Sequence, residues 1–384
     1  MGIPHAKGRH YMESIIYVGM DVHKDTYSLC CYDFRNNEIF SEMKTKATTK
    51  HVTKYLAQIK KARGEDTLFV CGYEAGPTGY GLCRGLQKEG YSCVVMAPTT
   101  MTNPDGKKRV KTDRIDARAL SRILAYKSYS PVVLPSEELE ALKEYTRARD
   151  SKKTMLKRAK QELQSFLLRN GKVYPETGNS WTIKFFKWLE SLEFSKEYLQ
   201  ESFKEYLSEV YTLKAKVEQM DAKIEEIAQL DLIKDKVDKL VCFPGINIQT
   251  AVAITVEIGD FQRFANAQQF SNFLGLCPGE DSSGKHIRKL GITKAGNNRL
   301  RRLFSESAKA IKMTNAYGKK SRRILERQKG APADIIAYAD KAAKRIREKM
   351  RSMENRGKHS NVASIAGARE LSCFVWGMMT ANMA

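Results

Sequence analysis

The stretch SIIYVGMDVHKDTYSLCCYDF, residues 14–34, decides the fold of the first part of the chain. Its first seven residues are almost continuously apolar, which is typical of a strand buried on both faces of a sheet. A polar turn near Val22–Asp25 separates them from a second apolar run, TYSLCCYDF. The stretch therefore predicts two strands joined by a turn.

The segments that follow extend these two strands into a larger sheet. A third strand is expected over Glu38–Lys46, and beyond it helices alternate with strands. This order indicates a mixed sheet flanked by helices, the α/β class. The predicted helices are Lys50–Arg63, Leu82–Lys88 and Thr112–Tyr126, and the further strands are Thr67–Tyr73 and Tyr91–Met96.

The whole chain is strongly basic. Its 384 residues include 66 Lys and Arg against 44 Asp and Glu, a formal net charge of +22. Because this charge is clustered, it favours a nucleic-acid-binding protein over a generic basic or ribosome-associated one. The hydrophobic content of 42% is enough for packed cores, which argues against broad disorder.

Cysteine and histidine usage bears on the compartment and on metal sites. The eight cysteines form no C-x-x-C pair, and several lie in apolar runs, which predicts reduced, buried thiols rather than disulfides or a zinc site. The six histidines are scattered, which also argues against zinc. No apolar signal segment or membrane-spanning run is found, so we expect a cytoplasmic protein with no membrane partner.

Long charged helices are predicted after Pro131 and Pro135. Apolar residues seven apart form a seam of four heptads, predicting either an oligomerisation coiled coil or a hairpin packed on a helix at 137–170 of the same chain. A mainly helical region follows from Leu240, so we predict domains at 1–130, 131–239 and 240–384. The seam residues are Phe203, Val210, Val217 and Ile224 in one series and Tyr206, Leu213, Met220 and Ile227 in the other.

Four carboxylates lie next to the buried segments of the first domain. Asp21 comes just past the first strand, Glu74 ends a later strand, and Asp113 and Asp116 lie three apart on the next helix, on one face. Converging carboxylates are what two-metal nucleic-acid chemistry needs, and Mg²⁺ prefers oxygen ligands. Each is alternatively an ordinary surface acid, but acids beside apolar strands are costly without a partner. Their order fits a ribonuclease-H-type fold.

A second cluster lies in GLCPGEDSSGKHIRKLGITKAGNNRLRRL, residues 275–303. Residues 277–285 are predicted to form a loop that carries Ser282 and Ser283 just before a glycine, with many cations after it. A serine in such a setting is able to attack a phosphodiester while the cations stabilise the developing charge. The alternative, which the residues alone favour, is a loop that only contacts phosphate.

Taken together, six segments resemble the DEDD-type insertion-sequence transposases, a family of RNA-guided serine recombinases whose guide is called a bridge RNA. The resemblance runs from about Ile16 to Thr380 and suggests a longer sub-branch of the family. The order and spacing of the segments are more specific than any one of them. They are GMDVHKDT, GYEAGPTGYGL, KTDRIDARAL, PGINIQTAVAITVEIGDFQRFANAQQFSNFLGLCP, SSGK and GITKAGNNRLRRL.

The resemblance implies three domains: an α/β, RNase H-like (RuvC-like) N-terminal domain, a helical coiled-coil middle and a mainly α C-terminal transposase domain. It implies a DNA recombinase that cuts and rejoins strands through a covalent serine–DNA linkage at Ser283, with Ser282 as the adjacent alternative. Asp21, Glu74, Asp113 and Asp116 then form a catalytic tetrad that binds Mg²⁺ or Mn²⁺. The implied partners are donor and target DNA, a guide RNA and a second or further copies of the chain, as a dimer or tetramer, in a prokaryotic, nucleoid-associated setting.

Other interpretations stay open from the sequence. A resolvase-type nuclease would use the tetrad and a water nucleophile, and a non-catalytic DNA- or RNA-binding scaffold would use the carboxylates structurally. The basic segments Lys319–Lys329 and Lys341–Arg351 are expected either to contact a nucleic-acid backbone or to be solvated helix faces. Tyr80, Trp181 and Trp188 are expected in hydrophobic cores rather than stacked on bases.

Overall fold

The computed structural model describes residues 14–102, 112–176, 180–283, 286–314 and 320–383, without the side chains at 283, 286, 287 and 289. The chain forms two compact units, the first ending at Leu134 and the second beginning at Pro135. The division into three domains at 130 and 239 stays a prediction.

A five-stranded sheet forms the centre of the first unit. The strands are β1 (Ile15–Val22), β2 (Thr26–Asp33), β3 (Glu38–Lys46), β4 (Leu68–Glu74) and β5 (Ser92–Met96). They are arranged in the order β3-β2-β1-β4-β5. Strand β1 pairs antiparallel with β2 and parallel with β4, β2 is antiparallel to β3, and β4 is parallel to β5. The predicted mixed sheet is confirmed.

Helices cover both faces of this sheet. They are α1 (Thr49–Arg63), α2 (Gly81–Lys88) and α3 (Asp113–Ala125), with a short 3₁₀ turn at Pro98–Thr100. Alternate residues of β1 point to opposite faces. Val18 is buried in the core that α1 and α2 share, whereas Tyr17 packs against the core formed by α3. The unit is therefore a three-layer α/β structure in which, among the residues that the structure describes, α3 is the one helix on its face.

One predicted boundary in this unit was wrong. Asp21 is the next-to-last residue of β1 rather than the residue past it, because the ladder with β2 continues through the pairs Asp21–Ser28 and Val22–Tyr27. The turn is accordingly shorter and begins at His23.

The described part of the second unit is helical apart from one hairpin. The hairpin strands are β6 (Pro278–Ser283) and β7 (His286–Ile292). The helices are α4 (Glu137–Arg169), α5 (Ile183–Glu190), α6 (Glu197–Ile227), α7 (Lys234–Leu240), α8 (Ile248–Ile258), α9 (Ala267–Phe273), α10 (Asn298–Met313), α11 (Arg322–Gln328), α12 (Ala333–Asn355) and α13 (Ser360–Met379).

The apolar seam of α6 is buried inside the chain, where it packs on α4. Val210 is fully buried in a core that includes Leu163 and Phe166 of α4. Arg149 of α4 also binds Asp221 of α6 through two hydrogen bonds of 2.7 and 3.0 Å. Of the two interpretations of the seam, the structure therefore contains the intrachain hairpin.

The cysteines and large aromatic side chains lie where the sequence predicts. All eight cysteines are free, and seven are buried. Burial raises the pKa of the Cys31 thiol to about 12, so this thiol stays protonated. Trp181 and Trp188 pack with Phe185 and other aromatic rings, and Tyr80 packs against the core of the first unit.

None of the helices in the described ranges combines the length and the hydrophobicity needed to cross a lipid bilayer.

Candidate active site

The four predicted acids line one cleft at the carboxyl ends of β1 and β4. The last residues paired between these parallel strands are Met20 and Tyr73, and Asp21 and Glu74 are the next residue of each strand. Asp113 and Asp116 complete the lining from the first turn of α3. The cleft has a volume of about 1320 Å³, larger than the roughly 300–1,000 Å³ of pockets for small ligands.

Two glycines in the sheet bring α3 down onto these strand ends. A Cβ atom on Gly19 would lie 2.2 Å from the backbone nitrogen of Ser121, and Gly72 is also in contact with α3. Side chains two residues apart on a strand share a face. Asp21 and Glu74 follow these glycines at that spacing and therefore lie on the face that carries α3.

Local sequence explains why α3 begins where it does. The Thr112 hydroxyl accepts a hydrogen bond from the Ile115 amide at 3.3 Å and caps the helix. Asp113 follows in the first turn, where the positive end of the helix dipole stabilises acidic side chains. The Arg118 guanidinium binds Glu42 of β3, with Nη2 2.9 Å from Oε2, and holds α3 against the sheet.

Three of the side chains in the cleft form a compact group of metal-ligand type. His23 Nε2 lies 3.1 Å from Asp21 Oδ2 and 3.8 Å from Asp113 Oδ1, and the three donor atoms all lie within 4.8 Å of one another. Burial raises the pKa of the Asp21 carboxyl, the neighbouring His23 lowers it, and the charges of Asp116 and Asp113 raise it further. A divalent cation would offset both the cost of burying the Asp21 charge and the repulsion between the carboxylates. These residues therefore fit such an ion.

A lysine from the edge of the sheet also reaches the site. Lys44 Nζ of β3 donates to Asp113 Oδ2 at 3.0 Å, and this hydrogen bond lowers the pKa of the Asp113 carboxyl. Neither Lys44 nor His23 was predicted as a site residue. His23 stands in the segment GMDVHKDT, two residues from Asp21, which is the signal that was available; Lys44 offers no local signal.

The segment with the two serines is a hairpin, so its prediction as a loop was wrong. Pro278 pairs with Ile292 and Ser283 pairs with His286, leaving two residues between the strands. Cross-strand hydrogen bonding overrides the loop-like composition of PGEDSS, which has no apolar alternation. Ser283 is the last residue of β6, and the Ser282 hydroxyl donates to Glu280 Oε1 at 2.8 Å.

The base of the hairpin is fixed to the start of α10. Gly275 has φ of +66°, and a Cβ there would lie 2.6 Å from the Ala295 carbonyl oxygen. The Arg301 guanidinium donates to the Leu274 carbonyl at 3.0 Å, and the Asn297 amide donates to the Phe273 carbonyl at 3.2 Å. The hairpin therefore begins from a rigid base.

A buried carboxylate organises the helices behind this base. The Glu257 side chain of α8 is fully buried and accepts hydrogen bonds from Arg147 at 2.8 Å, Arg299 at 2.9 Å and Asn297 at 3.1 Å. Lys143 lies 3.4 Å away. Burial alone would raise the pKa of Glu257, but these cations outweigh it and lower the pKa to about 2.

Several cations predicted to surround the serines are thus bound elsewhere. Arg299 also binds Asp150 at 3.0 Å, and only 12% of its side chain is exposed. Arg302 binds the same Asp150 carboxylate at 3.0 Å. These arginines hold α10 to α4, whereas Arg288 and Lys294 are exposed.

The turn at Pro244 and Gly245, which resembles a helix–hairpin–helix turn, is packed inside the second unit. A Cβ on Gly245 would lie 2.2 Å from the Ser307 carbonyl oxygen of α10. The Arg327 guanidinium donates to the carbonyls of Pro244 and Ile246. The close approach of the Ser307 carbonyl explains why residue 245 is a glycine.

In the basic segments near the end of the chain, some cations are bound in ion pairs and others are exposed. Lys349 binds Glu370 at 2.5 Å and Lys320 binds Asp340 at 2.5 Å. Other cations on α11 and α12 are exposed, namely Arg322, Arg323, Lys341, Lys344 and Arg351. Lys319 lies outside the described residues.

Two family models match the chain, one within the second unit and one across the boundary between the units. Residues 238–322 match the Transposase IS116/IS110/IS902 family. Residues 18–170 match a transposase model for the DEDD domain of IS110 elements. The DEDD transposase domain is RNase H-like, which agrees with the predicted fold class of the N-terminal part.

Curated relatives match over nearly the whole length. The transposase for insertion sequence element IS1533 of Leptospira borgpetersenii is 34% identical over 354 residues, covering 90% of this chain and 99% of the relative. The y4qE protein of Sinorhizobium fredii is 33% identical, covering 94% and 88%. The transposase for insertion sequence element IS1111A of Coxiella burnetii is 26% identical, covering 88% and 90%. The chain therefore belongs to the IS110/IS116 family of DEDD transposases.

Proposed function

We propose that this chain moves an insertion sequence by cutting and rejoining DNA strands, using Ser283 as the nucleophile and an acidic tetrad that holds Mg²⁺ or Mn²⁺. Membership of a transposase family supports DNA cleavage and transfer as the activity. The proposed metal site is supported by one observation: Asp21 from β1 and Asp113 from α3 lie close together in one cleft.

The tetrad residues have distinct positions in this proposal. Asp21 and Asp113 supply carboxylate oxygens to the compact group, and Glu74 and Asp116 line the same cleft. A divalent ion bound there would neutralise charge that develops on a phosphate during strand cleavage. Lys44 adds a cation beside Asp113. The size of the cleft suits a sugar–phosphate backbone better than a small ligand.

Ser283 is proposed to form the link between protein and DNA. Its Oγ forms a bond to phosphorus, the bond from phosphorus to a sugar oxygen breaks, and the serine proton is balanced by protonation of that leaving oxygen. Attack by another strand's hydroxyl then releases the serine and restores a phosphodiester. Its place at the end of β6, beside a glycine, supports Ser283 over Ser282, whose hydroxyl donates to Glu280.

A guide (bridge) RNA and an oligomer complete the proposal. The net charge of +22 and the exposed cations of α11 and α12 support RNA binding in addition to DNA. A dimer or tetramer that bridges donor and target DNA would need a surface other than the α6 seam, since the seam is buried on α4.

A trapping experiment tests the serine. The full chain is incubated with DNA carrying the ends of its element and with Mg²⁺, and denaturing gels are used to detect protein-linked DNA. We expect an adduct with the wild-type chain and with Ser282→Ala, and none with Ser283→Ala. Full strand exchange by Ser283→Ala would show that the serine mechanism is wrong.

A resolvase-type nuclease is the second candidate, and the clustered carboxylates favour it because they suffice for attack by water. It predicts cleavage without rejoining and without an adduct. Asp113→Asn separates both enzymes from a binding scaffold, since a folded variant that binds DNA but does not cut it excludes the scaffold. Sequencing RNA that copurifies from cells carrying the flanking non-coding DNA tests the guide.

A further inference from the structure

We infer that His23 is a direct nitrogen ligand of the metal ion in the carboxylate cleft and that it shifts the preference of this site from Mg²⁺ towards Mn²⁺. The inference rests on the proposed function, because it concerns the same site, and it adds a residue that the acidic tetrad does not contain. It also gives the site a selectivity that four carboxylates alone would not have.

The position of the imidazole is the first argument. The turn between β1 and β2 starts at His23, whose backbone amide donates to the Thr26 carbonyl at 3.1 Å. This turn brings the ring back over the end of β1, so that Nε2 lies beside Asp21 and Asp113. Three donors therefore come from three segments of chain, namely β1, the turn and α3.

The spacing of the donor atoms is the second argument. Mg²⁺ binds oxygen, and Zn²⁺ binds histidine nitrogen, at about 2.0–2.1 Å. In an octahedral site with bonds of about this length, neighbouring ligands lie roughly 3 Å apart and opposite ligands roughly 4 Å apart. His23 Nε2 lies 3.1 Å from Asp21 Oδ2 and 3.8 Å from Asp113 Oδ1. Both distances fall within that range.

The other contacts of the carboxylates do not block the atoms that would bind the metal ion together with His23. Lys44 binds Oδ2 of Asp113, whereas it is Oδ1 that faces His23. The neutral imidazole with its proton on Nδ1 presents a lone pair at Nε2. A single histidine–aspartate ion pair would involve Asp21 alone, whereas His23 also approaches the Asp113 carboxylate, which comes from a different element.

Ligand chemistry gives the consequence for selectivity. Mg²⁺ is held through oxygen and tolerates imidazole poorly, whereas imidazole is a common ligand of first-row transition ions. A site with two carboxylates and one imidazole is therefore expected to bind Mn²⁺ more tightly than Mg²⁺. Glutamine in place of His23 offers an amide oxygen, which suits Mg²⁺ better than Mn²⁺.

The test uses Mn²⁺ and Mg²⁺ alone, without DNA, on the full chain. Electron paramagnetic resonance measures Mn²⁺ binding, and competition with Mg²⁺ gives the affinity ratio. We expect His23→Gln to lower the Mn²⁺ affinity by about tenfold or more while the Mg²⁺ affinity changes much less. His51→Gln is the matched control, since His51 is in α1 and its hydrogen bond is to Thr48.

A spectroscopic signature of the ligand is measured first on the wild-type chain, where the result does not depend on whether a variant folds. Pulsed measurements on wild-type protein with ¹⁵N-labelled histidine are expected to show coupling between Mn²⁺ and a histidine nitrogen, and His23→Gln is expected to lose it. Absence of the coupling in the wild-type chain, or its persistence in a folded His23→Gln, would overturn the inference.

The failure of this inference is distinguishable from failure of the metal site itself. If Asp21→Asn abolishes Mn²⁺ binding while His23→Gln behaves like wild type, the acidic site stands and the role of His23 is wrong. If Asp21→Asn leaves Mn²⁺ binding intact, the carboxylate site is wrong, and the inference on His23 falls with it.

Discussion

Gly19 of β1 and Ser121 of α3 are in backbone contact, so close that a Cβ on Gly19 would lie 2.2 Å from the Ser121 nitrogen and 2.3 Å from the Ala117 oxygen. Because the obstacle is helix backbone rather than a flexible side chain, nothing local is able to move aside. The same contact sets the height of α3 above the sheet and, through it, the positions of Asp113 and Asp116.

Gly19→Ala is therefore expected to push α3 away from β1. Overpacking of this kind costs typically 1–3 kcal/mol, and contact with backbone places this change at or above the upper end, about 3 kcal/mol. Hydrogen exchange of the backbone amides in β1 and α3 is the measurement, and faster exchange in both elements is expected.

Gly81→Ala provides the control for that variant. Gly81 is the first residue of α2, and a Cβ there would meet nothing within 4 Å. Alanine is the better helix former, so this variant should be as stable as the wild-type chain or slightly more stable. Equal exchange rates in Gly19→Ala and Gly81→Ala would contradict the role assigned to Gly19.

Lys44 is expected to weaken metal binding in the cleft. Its ammonium lies 3.0 Å from Asp113 Oδ2, so a divalent ion bound by the same carboxylate is repelled by it. Solvent screens this repulsion, because both side chains are partly exposed, so the effect of removing the charge is expected to be modest. Lys44→Met is therefore expected to tighten Mg²⁺ binding by a few-fold to about tenfold, measured by calorimetry.

Lys24→Met is the comparison, because Lys24 is an exposed lysine that lines the same cleft. It should change Mg²⁺ affinity less than Lys44→Met does. Weaker Mg²⁺ binding by a folded Lys44→Met would mean that the lysine mainly positions Asp113 and does not compete with the metal ion.

The sequence was most informative where local pattern decides structure. The apolar runs of β1 and β4 and the three-residue spacing of Asp113 and Asp116 predicted both the sheet and the convergence of the acids. Gly19 could not be recognised in the same way, because its importance depends on a helix about a hundred residues further along the chain. Tertiary contacts of this kind leave no local signal.

The second unit shows a related limit. Residues 278–283, PGEDSS, have the composition of a loop, and only their pairing with residues 286–292 makes them a strand. The seam of α6 was identified, but periodicity does not reveal which helix covers it. Glu257 stands in the apolar run AVAITVEIG, and its cationic partners come from α4 and α10.

Val210 tests the packing of that seam. It is fully buried between α6 and α4, so Val210→Ala removes two methyl groups and leaves a cavity, at a cost of roughly 1.5–3 kcal/mol. Tryptophan fluorescence during urea unfolding is a suitable measurement, since all three tryptophans lie in the second unit. The exposed neighbour Glu209→Ala should leave the unfolding curve unchanged.

Light scattering on the same samples separates the two interpretations of the seam. Because the seam is buried within the chain, Val210→Ala should leave the mass of the particle in solution unchanged while it lowers stability. A fall in mass towards the single chain at unchanged stability would instead show that α6 packs between copies.

Glu257 is expected to dominate the acid stability of the second unit. Its pKa is lowered to about 2 from an ordinary value of 4.5. Its contribution to the stability of the folded state is therefore fully present above pH 4.5 and is lost as the pH falls towards 2. Glu257→Gln leaves the largely buried Lys143 and Arg299, and the half-exposed Arg147, without their shared anion, which should cost about 3–5 kcal/mol at neutral pH. The difference from wild type should shrink on acidification, because the wild-type carboxyl is then protonated and uncharged, like the glutamine amide.

Glu144→Gln is the matched control for Glu257→Gln. Glu144 also binds Arg147, at 3.0 Å, but 65% of its side chain is exposed. Exposed ion pairs contribute about 1 kcal/mol or less, so this variant should unfold nearly as the wild-type chain does at every pH. Tryptophan-monitored unfolding at neutral pH and between pH 2 and 4.5 compares the two. Equal stabilities of Glu257→Gln and Glu144→Gln at neutral pH would mean that burial of the carboxylate is not what holds α4, α8 and α10 together.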